Sequence, residues 1–207
     1  MDIKPDTFNN ARIFRAISFA AIAHDGSYKD GRPFICHPFG VAHLLQSIDS
    51  SEDLIIAGYL HDVIESTMYK LEDIKYEFGD NVAELVDYVT EDKSMNENED
   101  EWKQRKIRAI KKVENGPLEA ALLRWADKTH TLVNILDDYK SKNNSEFLDY
   151  GNAWNKFFAK KERQLWYYSK ISELVNHRFN GTEYAKLAEY FDALIQKLES
   201  KLNSNNN

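Results

Sequence analysis

The stretch Leu54 to Ser66, LIIAGYLHDVIES, constrains this chain more than any other. It is apolar on nearly every side, and a helix of that kind belongs in the middle of a protein, not on its surface. Ser51 followed by Glu52 and Asp53 supplies a start for it, because a serine oxygen can cap the first turn and acidic side chains suit the positive end of the helix dipole. His61 and Asp62 stand inside this run. A buried aspartate is costly unless it is ion-paired or bound to a metal. The centre of the fold is therefore also the place to look for a site.

The rest of the chain reads as helices around that centre. Thr7 to His24 has the spacing of a largely buried helix. Asp25 to Pro38 holds two Gly and two Pro and is expected to be a loop, with Pro38 opening the next helix. Lys70 to Phe78 and Asn81 to Thr90 read as short helices broken at Gly79. Glu91 to Asp100 is acidic and reads as a loop, Glu101 to Val113 as a basic helix ended by Asn115-Gly116-Pro117, and Leu118 to Asp138 as a helix again. Ser141 to Asn144 reads as a linker, followed by helices over Ser145 to Val175 and Thr182 to Leu202. The expected fold class is all-α. One domain is expected to fill the 207 residues, with a helical extension from about residue 145 and a frayed tail over 203–207.

Charge and composition exclude some roles. The formal net charge of −7 disfavours a nucleic-acid-coating protein, which needs a basic surface. A small anionic substrate remains compatible, since a local basic pocket or a metal can outweigh the global charge. No apolar run approaches the ~20 residues that cross a membrane. Met1 to Asn10 lacks the basic-then-apolar order of a signal peptide. Cys36 is the single cysteine, which fits a reducing compartment. The expected location is the cytosol; the oligomeric state is not legible.

Two further residues join the His61-Asp62 pair. His37 lies at a loop-to-helix junction, where a side chain can be aimed inward, and Asp127 interrupts the apolar helix Leu123-Arg124-Trp125-Ala126. Two histidines and two carboxylates form a mixed N/O set suited to one divalent ion such as Mn²⁺, Fe²⁺ or Zn²⁺. Four protein ligands leave positions open on an octahedral ion, the mark of a catalytic site. Glu65, one turn after His61-Asp62, can orient or deprotonate a water there; its bland reading is a surface carboxylate. Lys103, Arg105, Lys106, Arg108, Lys111 and Lys112 form either a solvated face or a phosphate clamp. His24 and His130 can orient ligands or simply pack, and Cys36 reads as a bystander.

The order H…HD…D resembles the signature of the HD phosphohydrolase superfamily. AAIAHDGSYKDGRPFICHPFGVAHLL, GYLHDVIEST and LRWADKTHTLVNI are similar, in order, to the motifs of the small alarmone hydrolases, which resemble the hydrolase domain of the Rel/SpoT stringent-response enzymes. The resemblance covers roughly Ile13 to Leu136. It implies an HD-superfamily helical bundle, a Mn²⁺ ion and removal of the 3′-pyrophosphate from guanosine tetra- or pentaphosphate. The helix around Glu101 to Lys106 is similar to a segment that meets phosphates, which implies phosphate-binding roles for Lys103, Arg105 and Lys106.

This chain departs from the family at informative positions. The family carboxylate matching Glu65 is normally followed by Asp; here Ser66 follows, which can hydrogen-bond a water but cannot act as a carboxylate base. The family loop commonly reads Arg-Lys-x-Gly, and here it is Tyr28-Lys29-Asp30-Gly31, so Tyr28 takes the place of an arginine that stacks on the base. Thr131 stands where an Asn is usual, with Asn134 one turn on as a substitute. Three readings follow: an alarmone hydrolase, a hydrolase of another nucleotide or phosphoester, or a metal-binding nucleotide sensor with weakened catalysis.

Overall fold

The computed structural model describes residues 10–92, 98–144 and 160–204. These residues are predominantly helical, as the sequence predicts. Helix α1 (Asn10–Ala23) leads into a hairpin of β1 (Tyr28–Lys29) and β2 (Arg32–Pro33). Then come α2 (Cys36–Gln46), α3 (Glu52–Leu60), α4 (Val63–Ser66), α5 (Leu71–Phe78) and α6 (Asp80–Val89). The chain continues through α7 (Glu99–Glu114), α8 (Leu118–Asn144), α9 (Lys161–Phe179) and α10 (Ala185–Ser204).

Helix α3 is the centre. Every residue from Leu54 to Leu60 is buried, and α1, α2, α6 and α8 pack around it. Each fully buried aliphatic side chain there contributes roughly 1.5–3 kcal/mol. Ser51 Oγ accepts the Leu54 N–H at 3.3 Å, so the expected cap is formed. Arg12 of α1 reaches Glu52 at 2.6 Å, Asp53 at 2.8 Å and the Phe78 carbonyl at 3.0 Å. Helices α2 and α3 approach closely because Gly58 has no side chain: a Cβ there would lie 3.1 Å from the Ala42 Cα.

Four expectations need correction. The run Leu54 to Ser66 is not one helix. α3 stops at Leu60, His61 and Asp62 form a turn, and α4 starts at Val63. Asp62 sits at φ −95°, ψ −4°, the sparsely populated bridge region where active-site residues often occur. Hydrophobic periodicity cannot register so local a change. The expected loop Asp25 to Pro38 contains the hairpin, with Tyr28 opposite Pro33 and Lys29 opposite Arg32. Its two-residue turn has positive φ at Asp30 (54°) and Gly31 (80°), the requirement of a type I′ turn, which Asp-Gly meets at low cost. Helix α2 starts at Cys36, ahead of Pro38. Pro38 is tolerated in the first turn because N–H groups there lack intrahelical acceptors. Finally, α8 runs through the predicted linker Ser141–Asn144, a polar continuation that carries no helix breaker. Of the predicted helix Ser145 to Val175, residues 145–159 lie outside the described residues, and α9 continues past Val175 to Phe179.

Helices α9 and α10 pack on each other and on α8. The Arg178 guanidinium donates to the Val113 carbonyl at 3.0 Å and the Gly116 carbonyl at 2.9 Å, and also to that of Glu114, closing the end of α7. Trp125 Nε1–H donates to the Leu187 carbonyl at 3.0 Å. No described helix is long and apolar enough to cross a membrane.

Candidate metal centre

Three elements bring the predicted ligands together. His37 comes from the first turn of α2, His61 and Asp62 from the turn after α3, and Asp127 from the middle of α8. His37 Nε2 and His61 Nε2 face each other at 3.3 Å. Asp127 Oδ1 lies 3.3 Å from His37 Nε2 and 3.9 Å from His61 Nε2. The Asp62 carboxylate lies 3.5 Å from His61 Nε2 and 3.7 Å from His37 Nε2. His37, His61 and Asp127 are all buried, and their ligand atoms lie within 4.8 Å of one another.

This geometry fits a first-row divalent ion. Ligands at about 2.1 Å, spread by tetrahedral or octahedral angles, stand roughly 3.0–3.4 Å apart. The shortest separations fall in that range. The donor chemistry also fits. His61 Nδ1 donates to the Gly58 carbonyl at 2.9 Å, which leaves Nε2 to face the centre. His37 Nδ1 lies 2.9 Å from His130 Nδ1, which leaves its Nε2 facing the centre too. Burial pushes the His37 imidazole down to about 4 and that of His130 to about 3, so both are neutral near pH 7, the form that can ligate or accept.

Burial alone would raise both aspartates, yet both are held well below the usual carboxylate range. The opposing charge at Asp62 comes from His61 and Lys29. At Asp127 it comes first from the Lys128 ammonium, and a hydrogen bond with His37 acts in the same direction. The ion pairs are visible. Lys29 Nζ lies 3.2 Å from Asp62 Oδ2, placed there by the hairpin. Lys128 Nζ lies 2.9 Å and Arg124 Nη1 3.4 Å from Asp127 Oδ2.

Behind Asp127 stands a second charged cluster that sequence reading did not single out. Glu91, expected in a loose acidic loop, is buried. It pairs with Arg105, with Lys106 at 2.8 Å and with Arg124 at 3.6 Å. Burial would raise this carboxyl, but Lys106, Arg124 and Lys128 outweigh it and hold Glu91 at about 2. A signal was available. Arg124 and Lys128 flank Asp127 in an otherwise apolar helix, so at least one more acid had to be buried near them.

The other predicted residues are distributed as follows. Glu65 Oε1 accepts the Glu91 N–H at 2.7 Å, so this carboxylate is anchored toward the α6–α7 connection. Ser66 is exposed and its hydroxyl donates to the Asp62 carbonyl. Lys29, Thr131 and Asn134 line a narrow cleft with Arg32, Phe34 and His37. Thr131 also donates to the Asp127 carbonyl at 2.9 Å, and Asn134 Nδ2 lies 3.3 Å from His130 Nδ1. Tyr28 is 71% exposed. Arg105 and Lys106, expected to meet phosphates, turn inward to Glu91, and a buried carboxylate answers their charge. Lys103 lies 5.1 Å over the Trp166 ring, in a separate groove of about 660 Å³ that it shares with Trp102 and Arg163. Cys36 is exposed on α2 and lines the same cleft as His37 and Thr131.

Comparison with known proteins gives the family. The HD domain family (HD_4) matches residues 16–161. The guanosine-3′,5′-bis(diphosphate) 3′-pyrophosphohydrolase MESH1 of Mus musculus is 32% identical over 130 residues, 60% of this chain and 70% of the mouse protein. The guanosine-3′,5′-bis(diphosphate) 3′-pyrophosphohydrolase of Haemophilus influenzae is 35% identical over 112 residues, 53% of this chain. That match spans only 16% of the Haemophilus protein, so the chain corresponds to a small part of such long relatives. Among solved structures, a metazoan ortholog of SpoT superposes with a TM-score of 0.66 at 24% identity, covering 92% of this chain and 97% of that one. The lmo0812 protein of Listeria monocytogenes superposes with a TM-score of 0.60 at 28% identity, covering 78% of this chain and 97% of that one. With well over half of its length matched by the family, and a relative 32% identical over most of that relative's length, this chain belongs to the HD domain family.

Proposed function

We propose that the chain is a metal-dependent phosphohydrolase that removes the 3′-pyrophosphate from a hyperphosphorylated guanosine nucleotide. The observation that carries the reading is the grouping of His37, His61 and Asp127 at ligand-to-ligand spacing, with the Asp62 carboxylate 3.5 Å from His61 Nε2 as the proposed fourth ligand. Relatives such as mouse MESH1, named for 3′-pyrophosphohydrolysis of guanosine-3′,5′-bis(diphosphate), supply the substrate class. Mn²⁺ is the proposed ion, with Fe²⁺ or Zn²⁺ compatible with the same donors.

The chemistry that a bound divalent ion supplies is Lewis acidity toward a phosphoryl oxygen and activation of a water. The chain's own residues do the rest. Glu65, close in sequence to the ligand pair and anchored by the Glu91 N–H, is proposed to hold the attacking water and accept its proton. Lys29, already beside the centre, balances the anionic leaving group. Tyr28 offers an exposed face for a purine, and Asn134 and Thr131 border the adjacent cleft. The proposed location is the cytosol.

One observation favours a second reading. The hydroxyls of Ser66 and Thr131, which replace an acid and an amide, are both spent on backbone carbonyls. A nucleotide sensor with slow turnover fits that loss. Incubation with Mn²⁺ and a panel of guanosine and adenosine polyphosphates separates the two. Pyrophosphate release over many turnovers supports the enzyme. Tight nucleotide binding without release supports the sensor and overturns the enzyme.

A further inference from the structure

We infer that His130 is a positioning residue for the metal centre, seated in a notch left by Gly40, and that it holds the His37 ring with Nε2 toward the ligand site. This inference rests on the metal-binding reading given above.

For His37 Nε2 to offer a lone pair, the ring proton must sit on Nδ1. The atom opposite that nitrogen is His130 Nδ1, at 2.9 Å. A hydrogen bond between them therefore needs His130 Nδ1 to accept, with the His130 proton on Nε2. A second contact agrees: the Asn134 amide nitrogen, a donor only, lies 3.3 Å from the same His130 Nδ1. Two donors thus converge on one acceptor. A ligating histidine whose other nitrogen is held in this way keeps both its tautomer and its ring orientation.

Sterics then explain why His130 can stand there. Gly40 lies in the second turn of α2, one turn beyond His37. A Cβ at Gly40 would fall 2.0 Å from His130 Nε2 and 2.1 Å from its Cδ2. Those distances belong inside atoms, so no side chain at position 40 is compatible with the ring in place. The backbone at Gly40 is ordinary helix, and an alanine there would otherwise favour the helix. Gly40 is therefore explained by the ring it admits. Helix α2 carries His37, α8 carries both Asp127 and His130, and the histidine pair links the two helices across the ligand site.

The test is Mn²⁺ binding by the full chain, measured calorimetrically without substrate. The His130→Ala variant is expected to bind Mn²⁺ about 10–100-fold more weakly, the range usual for a lost partner of a metal ligand. His130→Asn, whose carbonyl oxygen can stand in for Nδ1 as acceptor, is expected to recover most of that loss. Gly40→Ala removes no polar group and should weaken binding comparably by pushing the ring out. It also keeps the test decisive where His130→Ala does not fold. In the Gly40→Ala/His130→Ala double variant the glycine change should add nothing further, because both act through one contact. Wild-type affinity in either single variant overturns the inference, as do losses that multiply in the double variant. A wild-type protein that takes up no Mn²⁺ overturns the metal centre, and this inference with it.

Discussion

Asp127 meets two imidazoles on one side and the cations of Lys128 and Arg124 on the other. The apolar residues Leu122, Leu123, Trp125 and Ala126 before it made a buried acid legible in the sequence, whereas the pairing of Arg124 and Lys128 with that acid shows only in the structure. His61→Ala or Asp62→Ala is expected to abolish activity with loss of bound metal, read by metal content beside rate. Glu65→Gln is expected to keep the metal and slow turnover by about 10²–10⁴-fold, the usual worth of a general base. Turnover at the wild-type rate in Glu65→Gln would remove its proposed role. Tyr28 leads to a prediction on the base. A stacking face is indifferent to which purine lies on it, and Thr131 offers less edge-reading capacity than an amide. Guanosine and adenosine 3′-pyrophosphorylated nucleotides should differ in kcat/KM by about tenfold to thirtyfold at most, or roughly 1–2 kcal/mol. A thousandfold preference in a side-by-side steady-state comparison would show that other residues read the base.

Among the elements, the α6–α7 connection departs most from what the sequence suggests. Its composition reads as solvated, yet Glu91 at its start is buried against residues of α7 and α8, and the Tyr167 hydroxyl of α9 lies 3.4 Å from it. Composition averages over neighbours and cannot reveal that one acid of a run is turned inward. Glu91→Ala would strand buried cations and is expected to cost about 3–5 kcal/mol in urea denaturation. The folded protein holds this carboxyl at about 2, below its ordinary value of 4.5. Its contribution is therefore fully present above pH 4.5 and is lost as pH falls from there through about 2. An acid-unfolding curve that Glu91→Gln leaves unchanged over that window would contradict this. The hairpin and the interrupted HD helix show the complementary limit. Asp30-Gly31 is a turn signal, but strands of two residues are too short for periodicity to detect.

For the whole molecule, the all-helical class and the central position of α3 follow from the apolar runs alone. The assembly of ligands from α2, the α3–α4 turn and α8 does not, because it depends on how elements far apart in sequence pack, as where α2 meets α3 at Gly58. The order of the motifs bridged that gap. The protein is acidic overall, with a net charge of −7, yet it places Lys29, Lys128 and Arg124 around the ligand cluster, each paired with one of its carboxylates. The central claim is tested most directly by ³¹P NMR of guanosine 3′,5′-bis(diphosphate) with metal-stripped protein, before and after addition of Mn²⁺. The account predicts no change without the ion and, with it, conversion to GDP and pyrophosphate that stops on chelation. Nucleotide that stays intact with Mn²⁺-loaded protein would contradict it.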